Sequence, residues 1–415
     1  MQHLQSALGI VALIGFAWAI SENRRAVNWR NVGIGLAVSI ALAVLFLKVP
    51  PVAALFGAMN SIVDAIASAT RAGTSFVFGY LGGGPLPFEL KSPGNEFVLA
   101  FNALPIVLLM SVLSTLLFYW GILPPVIRAF SFALNRTLGV GGAVGLSTAA
   151  NIFVGHVEAP LFIRPYLARL SRSELFVVMT GGMAGIAGTV LVLYAQFLRG
   201  AIPDAAAHLV IASVLGAPIA VMIGMIMVPD PDNTHTGEIA VTEPVAESTM
   251  DAIAKGAGAG LSLLLNMIAM LIVFVALVHL VNGMLSLLPN VGGEAITLQR
   301  ALGLVMAPVC WLIGIPWAQA QTAGALMGIK TVLNELIAYL QMSQLPADAL
   351  DPRSRLIMLY AMCGFANFGS VGIMIGGLTV MAPERRSDVI ALGMRSVVSG
   401  TISTLLMGAI VGLLN

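Results

Sequence analysis

Two polar stretches interrupt an otherwise apolar chain: Asn151-Ile-Phe-Val-Gly-His-Val-Glu158 and Lys330-Thr-Val-Leu-Asn-Glu335. Each places a glutamate among hydrophobic residues. Burying a carboxylate in hydrocarbon costs about 2.5 kcal/mol or more, so the group needs a polar partner or a water-filled cavity. The two stretches therefore predict broken segments whose tips, at Glu158 and Glu335, converge on one polar cavity inside a membrane.

The composition around these stretches is that of a membrane protein. Of 415 residues, 58% are hydrophobic and 9% are charged, whereas a soluble domain carries about 25% charged residues. Because so few charges cannot cover a water-facing surface, most of the surface must face lipid. The net charge of +1 comes without a basic stripe, which argues against a nucleic-acid partner.

Eight segments are long and apolar enough for spanning helices, which need about 20 residues. They are Leu4 to Ile20, Val32 to Leu47, Val98 to Trp120, Leu175 to Leu198, Leu209 to Val228, Leu261 to Leu285, Arg355 to Val380 and Val389 to Leu414. Two further segments, Val52 to Ala69 and Leu123 to Leu138, are predicted to lie at the membrane interface. These features predict an all-α polytopic membrane protein with eight transmembrane helices, interfacial helices and two re-entrant hairpins.

The order of the segments repeats, starting at Val98 and again at Leu261. An odd number of crossings separates the two units, so their topology is inverted. Inverted repeats with interruptions at matching places are typical of secondary transporters. We predict N-terminal scaffold helices and an interfacial helix in 1–97, a first inverted repeat in 98–228 with a re-entrant hairpin at 139–170, a cytoplasmic loop and interfacial helix in 229–260, and a second inverted repeat in 261–415 with a re-entrant hairpin at 318–343.

Arginine placement predicts the orientation. Arginines follow the first and third spans and lie between the last two: Arg24, Arg25, Arg30, Arg128, Arg136, Arg385 and Arg386. With eight spans these loops fall on one side, which the positive-inside rule assigns to the cytoplasm. Both termini then lie outside. The acidic loop from Pro229 to Glu247 falls on the same cytoplasmic side, but acidic residues weigh little in this rule.

The two glutamates admit two interpretations. In the structural one, each carboxylate is paired within the bundle, for instance with Arg164 or Lys330. In the functional one, the pair accepts hydrogen bonds from substrate hydroxyls or base nitrogens. His156 lies on the same hairpin tip as Asn151 and Glu158. The presence of these two polar residues favours a substrate contact for the imidazole.

The glycine-rich segment Cys363-Gly-Phe-Ala-Asn-Phe-Gly-Ser370 carries further candidates. Glycine lowers helix propensity, and an unwound helix is tolerated in a membrane only where its backbone lines a cavity. Close helix packing through small residues is the alternative explanation. Asn367 and Ser370 favour the cavity, where Phe365 offers an aromatic face to a planar base.

Enzyme motifs are missing from the sequence. It contains no His-Glu-x-x-His helix, no P-loop and no Ser-His-Asp set that spacing supports. We therefore expect neither catalysis nor direct use of ATP, and no cofactor other than a coupling ion.

Five stretches resemble the concentrative nucleoside transporters: Thr74-Ser-Phe-Val-Phe-Gly79, Gly155-His-Val-Glu-Ala-Pro-Leu-Phe-Ile-Arg-Pro-Tyr166, Gly181-Gly-Met-Ala-Gly-Ile-Ala-Gly-Thr189, Lys330-Thr-Val-Leu-Asn-Glu335 and Gly364-Phe-Ala-Asn-Phe-Gly-Ser370. The resemblance implies a homotrimer with eight spans, two re-entrant hairpins and three interfacial helices. It also implies inward transport of nucleosides, driven by a sodium or proton gradient. An inner transport domain would move like an elevator within an outer scaffold.

The resemblance further implies roles for single residues. The nucleoside would contact both hairpin tips and the glycine-rich segment, with the base against His156, Val157, Glu158 and Phe365 and the ribose hydroxyls against Glu335, Asn367 and Ser370. A sodium ion would be held by four residues of the first hairpin and the following span, namely Asn151 and the carbonyl of Val154 with Gly185 and Ile186.

Three positions depart from the family pattern. The family usually has Gln in place of His156 and a hydroxyl residue in place of Val157, whereas the ribose side keeps the pattern. A transporter of a free nucleobase or a modified nucleoside is therefore the alternative substrate hypothesis. A passive channel or a non-transporting binding protein is a third hypothesis. Gly185 lacks the hydroxyl that is typical of sodium-coupled members. Since a cation site needs several hard ligands, a proton is an alternative coupling ion.

Overall fold

The structure is a computed structural model that describes residues 2–89, 97–231, 236–237, 246–291, 293 and 295–415. Within these ranges the regular elements are all helices and no strand occurs. The N-terminal part contains α1 (Gln2–Ala19), α2 (Trp29–Lys48), α3 (Pro50–Phe78), a 3-10 turn (Gly79–Gly82) and α4 (Leu99–Asn102). The predicted all-α class is confirmed.

The central part carries the first broken segments. It contains α5 (Ile106–Tyr119), α6 (Leu123–Leu138), α7 (Gly142–Ala150), α8 (Glu158–Leu161), α9 (Arg164–Leu167), α10 (Arg172–Ala184), α11 (Gly188–Leu198) and α12 (Ala205–Met227). Ser171 starts α10 with a capping box, in which its hydroxyl accepts from the Glu174 amide and the Glu174 carboxylate accepts from the Ser171 amide.

The C-terminal part repeats the broken pattern. It contains α13 (Thr249–Leu285), α14 (Leu298–Leu312), α15 (Trp317–Val332), α16 (Glu335–Gln344), α17 (Pro352–Met362), α18 (Phe368–Met381), a 3-10 turn (Pro383–Arg385) and α19 (Arg386–Leu414). α15 and α16 pack against each other and form the second hairpin.

Seven described helical segments are long and apolar enough to cross a membrane, or eight if α14 and α15, bent by 118°, count as one span. These seven segments coincide with seven of the predicted spans. The predicted span from Arg355 to Val380 consists instead of α17 and α18 with a break between them. The break follows from the run of glycine and polar residues there, which weakens the helix.

One predicted boundary differs from the structure. Residues 249–260, expected in a separate interfacial helix within 229–260, are the beginning of the continuous helix α13. The glycines in this stretch do not end the helix. Because they lack a side chain, a neighbouring helix can pack closely against them. A Cβ on Gly256 would lie 2.7 Å from the backbone of α5, and one on Gly260 would lie 2.9 Å from it. The two helices pack at backbone contact through small residues.

Burial separates an interior from a periphery. Most residues of α10, α12 and α19 are buried within the chain, whereas the apolar window of α13 is only 6% buried. Because the exposed side of α13 is hydrophobic, it faces lipid or another protein surface. These three helices therefore belong to the interior of the molecule, and α13 lies at its periphery.

Three chain segments meet in an ion-pair cluster at one end of the molecule. Arg172 at the start of α10 donates to Glu22 in the α1–α2 loop at 2.9 Å and pairs with Asp388 of α19 at 3.4 Å. Arg395 also pairs with Glu22, and Arg385 binds Asp388 at 2.9 Å. The loop after α1 and the loop before α19 therefore lie at the same end, as their arginines predicted.

Candidate functional site

Three helix interruptions lie against one another in the folded protein: those between α7 and α8, between α10 and α11, and between α17 and α18. Backbone hydrogen bonds join them. The amide of Phe365 donates to the carbonyl of Gly185 at 3.1 Å, and the amide of Gly188 donates to the carbonyl of Phe153 at 3.2 Å. The interruptions thus provide hydrogen-bond partners for some of each other's unpaired backbone N–H and C=O groups, which hydrocarbon could not do.

Glycine allows these segments to approach. A Cβ on Gly364 would lie 2.6 Å from Cγ2 of Thr404 and 2.9 Å from the carbonyl oxygen of Met183. A Cβ on Gly182 would lie 3.0 Å from Cβ of His156. Because both positions lack a side chain, the first hairpin tip and the α17–α18 break can pack closely against α10.

The second hairpin ends in a helix cap. Leu333 leaves the helical conformation, and the side-chain oxygen of Asn334 accepts the amide of Ile337 at 2.9 Å. Glu335 is consequently the first residue of α16. A carboxylate at this position is stabilised by the positive end of the helix dipole.

A cavity of about 420 Å³ lies where the two hairpin tips face the α17–α18 break. Its lining includes every residue predicted to bind substrate: His156, Val157, Glu158, Glu335, Phe365, Asn367 and Ser370. The volume is in the range of small-molecule sites, which is roughly 300–1,000 Å³. The predicted convergence of Glu158 and Glu335 on one cavity is therefore confirmed.

Glu335 is held by two neutral donors. The hydroxyl of Tyr194 donates to its Oε1 at 2.6 Å, and Nδ2 of Asn367 donates to its Oε2 at 3.2 Å. Oδ1 of Asn367 in turn accepts the amide of Ser370 at 2.7 Å, which fixes the orientation of the amide. Because each carboxylate oxygen has further lone pairs, the group can accept hydrogen bonds from a ligand.

Glu158 stands between two cavities. It is exposed, and it lines the first cavity together with a neighbouring one of about 650 Å³ bounded by α5, α13 and the first hairpin. Arg164 lines the second cavity, but no described salt bridge joins it to Glu158. The Glu158 carboxylate is thus available to a ligand, in contrast to the anchored Glu335.

The aromatic side of the cavity is built by His156 and Phe365. Their ring centroids are 4.9 Å apart with the planes at 58°. Nε2 of His156 is buried and has no hydrogen-bond partner among the described residues. Val157 is apolar and also packs the hairpin tip against α18. Its Cγ1 lies 2.7 Å from the position that a Cβ on Gly377 would occupy.

The four residues of the predicted sodium position lie around the α10–α11 break. Nδ2 of Asn151 donates to the carbonyl of Gly181 at 2.8 Å, and its Oδ1 is buried without a described partner. Val154 and Ile186 are buried. A Cβ on Gly185 would lie 2.5 Å from Nδ2 of Asn151, so the amide occupies the space of the missing side chain.

This donor set fits a hard cation. Amide and carbonyl oxygens are the ligands that such ions prefer, and the orphaned Oδ1 of Asn151 is an available one. The described residues include no cluster of three or more His, Cys, Asp or Glu that could hold a metal ion.

Sequence reasoning missed two polar groups at these sites. Tyr194 binds Glu335, and Thr148 has a buried hydroxyl without a described partner three residues before Asn151. The signal for Tyr194 was its place in an apolar span, since a buried tyrosine hydroxyl usually needs a partner. Nothing in the sequence separates Thr148 from other small residues of its helix.

Known sequence families match nearly the whole chain. The family described as "Na+ dependent nucleoside transporter" matches with its N-terminal part at residues 8–81 and its C-terminal part at residues 208–412. A domain described as "Nucleoside recognition" matches residues 100–200. The chain belongs to the concentrative nucleoside transporter family. As a member, it is a multi-pass membrane transporter and not an enzyme, as predicted.

Individual relatives agree with this assignment of the nucleoside transporter family. The chain is 39% identical to an uncharacterized transporter of Haemophilus influenzae, covering 100% of this chain and 98% of that protein. It is 36% identical to the nucleoside permease NupC of Helicobacter pylori, covering 99% and 97%. The solved structure of CNTnw in an inward-facing substrate-bound state matches with a TM-score of 0.89 at 36% identity, covering 100% and 98%.

Proposed function

We propose that this transporter is a cation-coupled symporter that imports nucleosides across the cytoplasmic membrane by an elevator-type movement. One observation carries the proposal: an anchored carboxylate, a free carboxylate and a pair of aromatic rings line a single cavity. These groups match the parts of a nucleoside, which has vicinal hydroxyls at one end and a planar base at the other.

The ribose is held on the Glu335 side of the cavity. Tyr194 and Asn367 fix the carboxylate, which leaves lone pairs for the two ribose hydroxyls. Charge-assisted hydrogen bonds of this kind are roughly twice as strong as neutral ones. Ser370 and Asn367 add neutral polar contacts that discriminate a ribose from a ligand without hydroxyls.

The base lies against the first hairpin tip. Phe365 supplies a ring face, and offset or edge contacts between rings add about 0.5–1.5 kcal/mol beyond burial. Nε2 of His156 and the carboxylate of Glu158 are the polar groups that meet base nitrogens and oxygens. Val157 closes the apolar edge of this subsite.

Sodium is the first candidate for the coupling ion, and a proton is the second. Asn151, Val154, Gly185 and Ile186 would hold the sodium ion, which would supply positive charge beside the hairpin tip. The chain's own contribution is to keep that tip docked: Asn151 binds the Gly181 carbonyl of α10. A proton remains a candidate because Gly185 offers no side-chain oxygen.

The transport domain would consist of the hairpins and broken helices, moving against α5 and α13. The backbone-close packing of these two helices supports a rigid scaffold. The apolar exposed side of α13 supports contact with lipid or with neighbouring subunits of a homotrimer. The shared end of the arginine-bearing loops supports a cytoplasmic location for that end, with both termini outside.

Uptake of labelled uridine into liposomes tests the proposal, with sodium and pH gradients imposed separately. Wild-type protein should accumulate uridine above equilibrium under one of the two gradients, and Glu335→Ala should abolish this uptake because the ribose loses its acceptor. Glu384→Ala, at an exposed glutamate of the second 3-10 turn, is the matched control and should transport normally.

The same assay separates the alternatives. Unchanged uptake by the Glu335→Ala variant would contradict the ribose site. Competition by free bases but not by nucleosides would favour a nucleobase transporter. Uptake that never exceeds equilibrium under either gradient would indicate a passive channel.

A further inference from the structure

One face of α13 borders the cavity between the hairpin tips and the α17–α18 break. The residues of α13 that line this cavity recur every three or four positions from Ala259 to Phe274, which is the spacing of a single helix face. Within α13, which is described in full, Ser262 and Asn266 are the two polar residues on that face. Polar side chains in the middle of an apolar spanning helix are costly, so their presence indicates a function.

The two polar side chains differ in their hydrogen bonding. The hydroxyl of Ser262 donates to the carbonyl of Gly258 in its own helix at 3.1 Å. The side chain of Asn266 makes no hydrogen bond with any of the residues that the structure describes. A carboxamide has two N–H donors and one oxygen acceptor. Asn266 therefore offers its full hydrogen-bonding capacity to a ligand in the cavity that it lines.

The position of Asn266 along the cavity follows from its neighbours on α13. Leu263 borders both this cavity and the neighbouring one of about 650 Å³, as Glu158 does. Further along the helix, Cζ of Phe274 lies 3.2 Å from where a Cβ on Gly369 would be, at the start of α18. Since an α-helix rises about 1.5 Å per residue, Asn266 lies about 4.5 Å along the axis from Leu263 and about 12 Å from Phe274. Asn266 is therefore on the Glu158 side of the cavity.

The Glu158 side is where the proposed nucleoside site places the base. Because Glu335 holds the ribose, the edge of the base that is remote from the sugar points toward Glu158. In uracil this edge carries a ring N–H beside a carbonyl oxygen, which is a donor next to an acceptor. An ionised carboxylate can accept from the N–H but cannot donate to the carbonyl oxygen. Pairing of the whole edge therefore requires a group that both donates and accepts.

We propose that Asn266 is a specificity-determining residue that hydrogen-bonds the edge of the nucleobase remote from the ribose. Its Nδ2 donates to the exocyclic carbonyl oxygen and its Oδ1 accepts the ring N–H, so a base with an adjacent donor and acceptor binds more tightly than a base without them. This inference rests on the proposed nucleoside function. The alternative role of the amide is a hydrogen bond between packed helices of neighbouring subunits, which would not distinguish one base from another.

Calorimetric titration of the purified full-length protein with uridine and with its 4-deoxy analogue, the pyrimidin-2-one riboside, tests this contact. The analogue keeps the ribose but lacks both the exocyclic oxygen and the ring N–H of the remote edge. Wild-type protein should bind uridine more tightly than the analogue. Asn266→Leu should weaken uridine binding about tenfold, as the loss of hydrogen bonds predicts, and should affect the analogue much less. The preference for uridine, expressed as the ratio of the two Kd values, should therefore fall about tenfold.

His279→Leu is the matched control. His279 is an exposed polar residue of the same helix and lines neither of the two cavities, so its replacement measures the general effect of removing a polar group from α13. The ratio of the two Kd values should equal that of wild type. Leucine is a good helix former and suits an apolar span, so Asn266→Leu should fold, and its Tm in detergent verifies this.

Two results would overturn the role of Asn266 alone. One is an Asn266→Leu variant that keeps the wild-type ratio of Kd values, even if it binds uridine more weakly, because the amide would then only pack helices or subunits. The other needs no variant: wild-type protein that binds uridine and the analogue equally does not recognise this edge of the base. Failure of wild-type protein to bind either ligand would instead refute the proposed nucleoside function and, with it, this inference.

Discussion

At the scale of residues, the carboxylate of Glu335 is held by side chains from two other helices. Tyr194 comes from α11 and Asn367 from the start of α18, while the glutamate itself starts α16. None of these neighbours is adjacent in sequence. The carboxylate is therefore oriented by the tertiary arrangement, and each donor can be tested separately.

Removal of the Tyr194 hydroxyl should weaken nucleoside binding. Tyr194→Phe takes away the 2.6 Å hydrogen bond to Oε1, and a hydrogen bond to a charged group is worth about 1.5–3 kcal/mol. We expect at least a tenfold rise in the uridine Kd, measured by calorimetry. Tyr339→Phe is the control, because that hydroxyl binds the Leu359 carbonyl instead. Equal effects of both variants would argue against a specific role for Tyr194.

At the scale of elements, the breaks in α10–α11 and α17–α18 decide the shape of the site. The glycine-rich motifs predicted these breaks, and an apolar stretch that carries two arginines predicted α6 with its observed bounds, Leu123–Leu138. The sequence did not predict that α13 runs without a break through residues 249–260, whose glycines weaken an isolated helix. Contact with α5 compensates for this weakness, and such contacts are not visible in the local sequence.

Gly364 should not tolerate a methyl group. Gly364→Ala would place a Cβ 2.6 Å from Thr404 and 2.9 Å from the Met183 carbonyl, and overpacking typically costs about 1–3 kcal/mol. We expect a lower Tm in detergent and weaker uridine binding. Gly372→Ala is the control in the same region: nothing lies within 4 Å of its Cβ, so its Tm should be unchanged or higher. Equal Tm values for both variants would contradict the close approach at Gly364.

At the scale of the whole molecule, the ion-pair cluster ties the α1–α2 loop to α10 and α19. A side-chain hydrogen bond from Arg172, aided by the charges of Arg172 and Arg395, holds the pKa of Glu22 below its usual value of 4.5. A carboxyl with a lowered pKa in the folded state stabilises the protein above its usual pKa, and this contribution is lost as the pH falls through the lowered value.

Replacement of Glu22 should therefore change the pH dependence of stability. Glu22→Gln should lower the Tm relative to wild type at pH 7, and the difference should shrink as the pH falls below 4.5. Thermal unfolding in detergent at several pH values measures it. Glu384→Gln, at an exposed glutamate, should show no such difference. A Tm gap for Glu22→Gln that stays constant across this range would exclude the proposed ionic contribution.

The amino-acid sequence by itself determined the membrane environment, the helical class and the places where helices break. These properties depend on local features: hydrophobic length, glycine content and isolated polar residues in apolar segments. The sequence also supplied the residues proposed to bind substrate, among them Glu158 and Glu335. All of them line the cavity between the two hairpin tips and the α17–α18 break.

Only the tertiary structure decided which side chains complete the site. Tyr194 looks like an ordinary residue of an apolar helix, and its position beside Glu335 results from packing between distant segments. The physical reason is that the energy of a buried polar group depends on its partners and not on its neighbours in the chain. Such partners are known only once the helices are assembled.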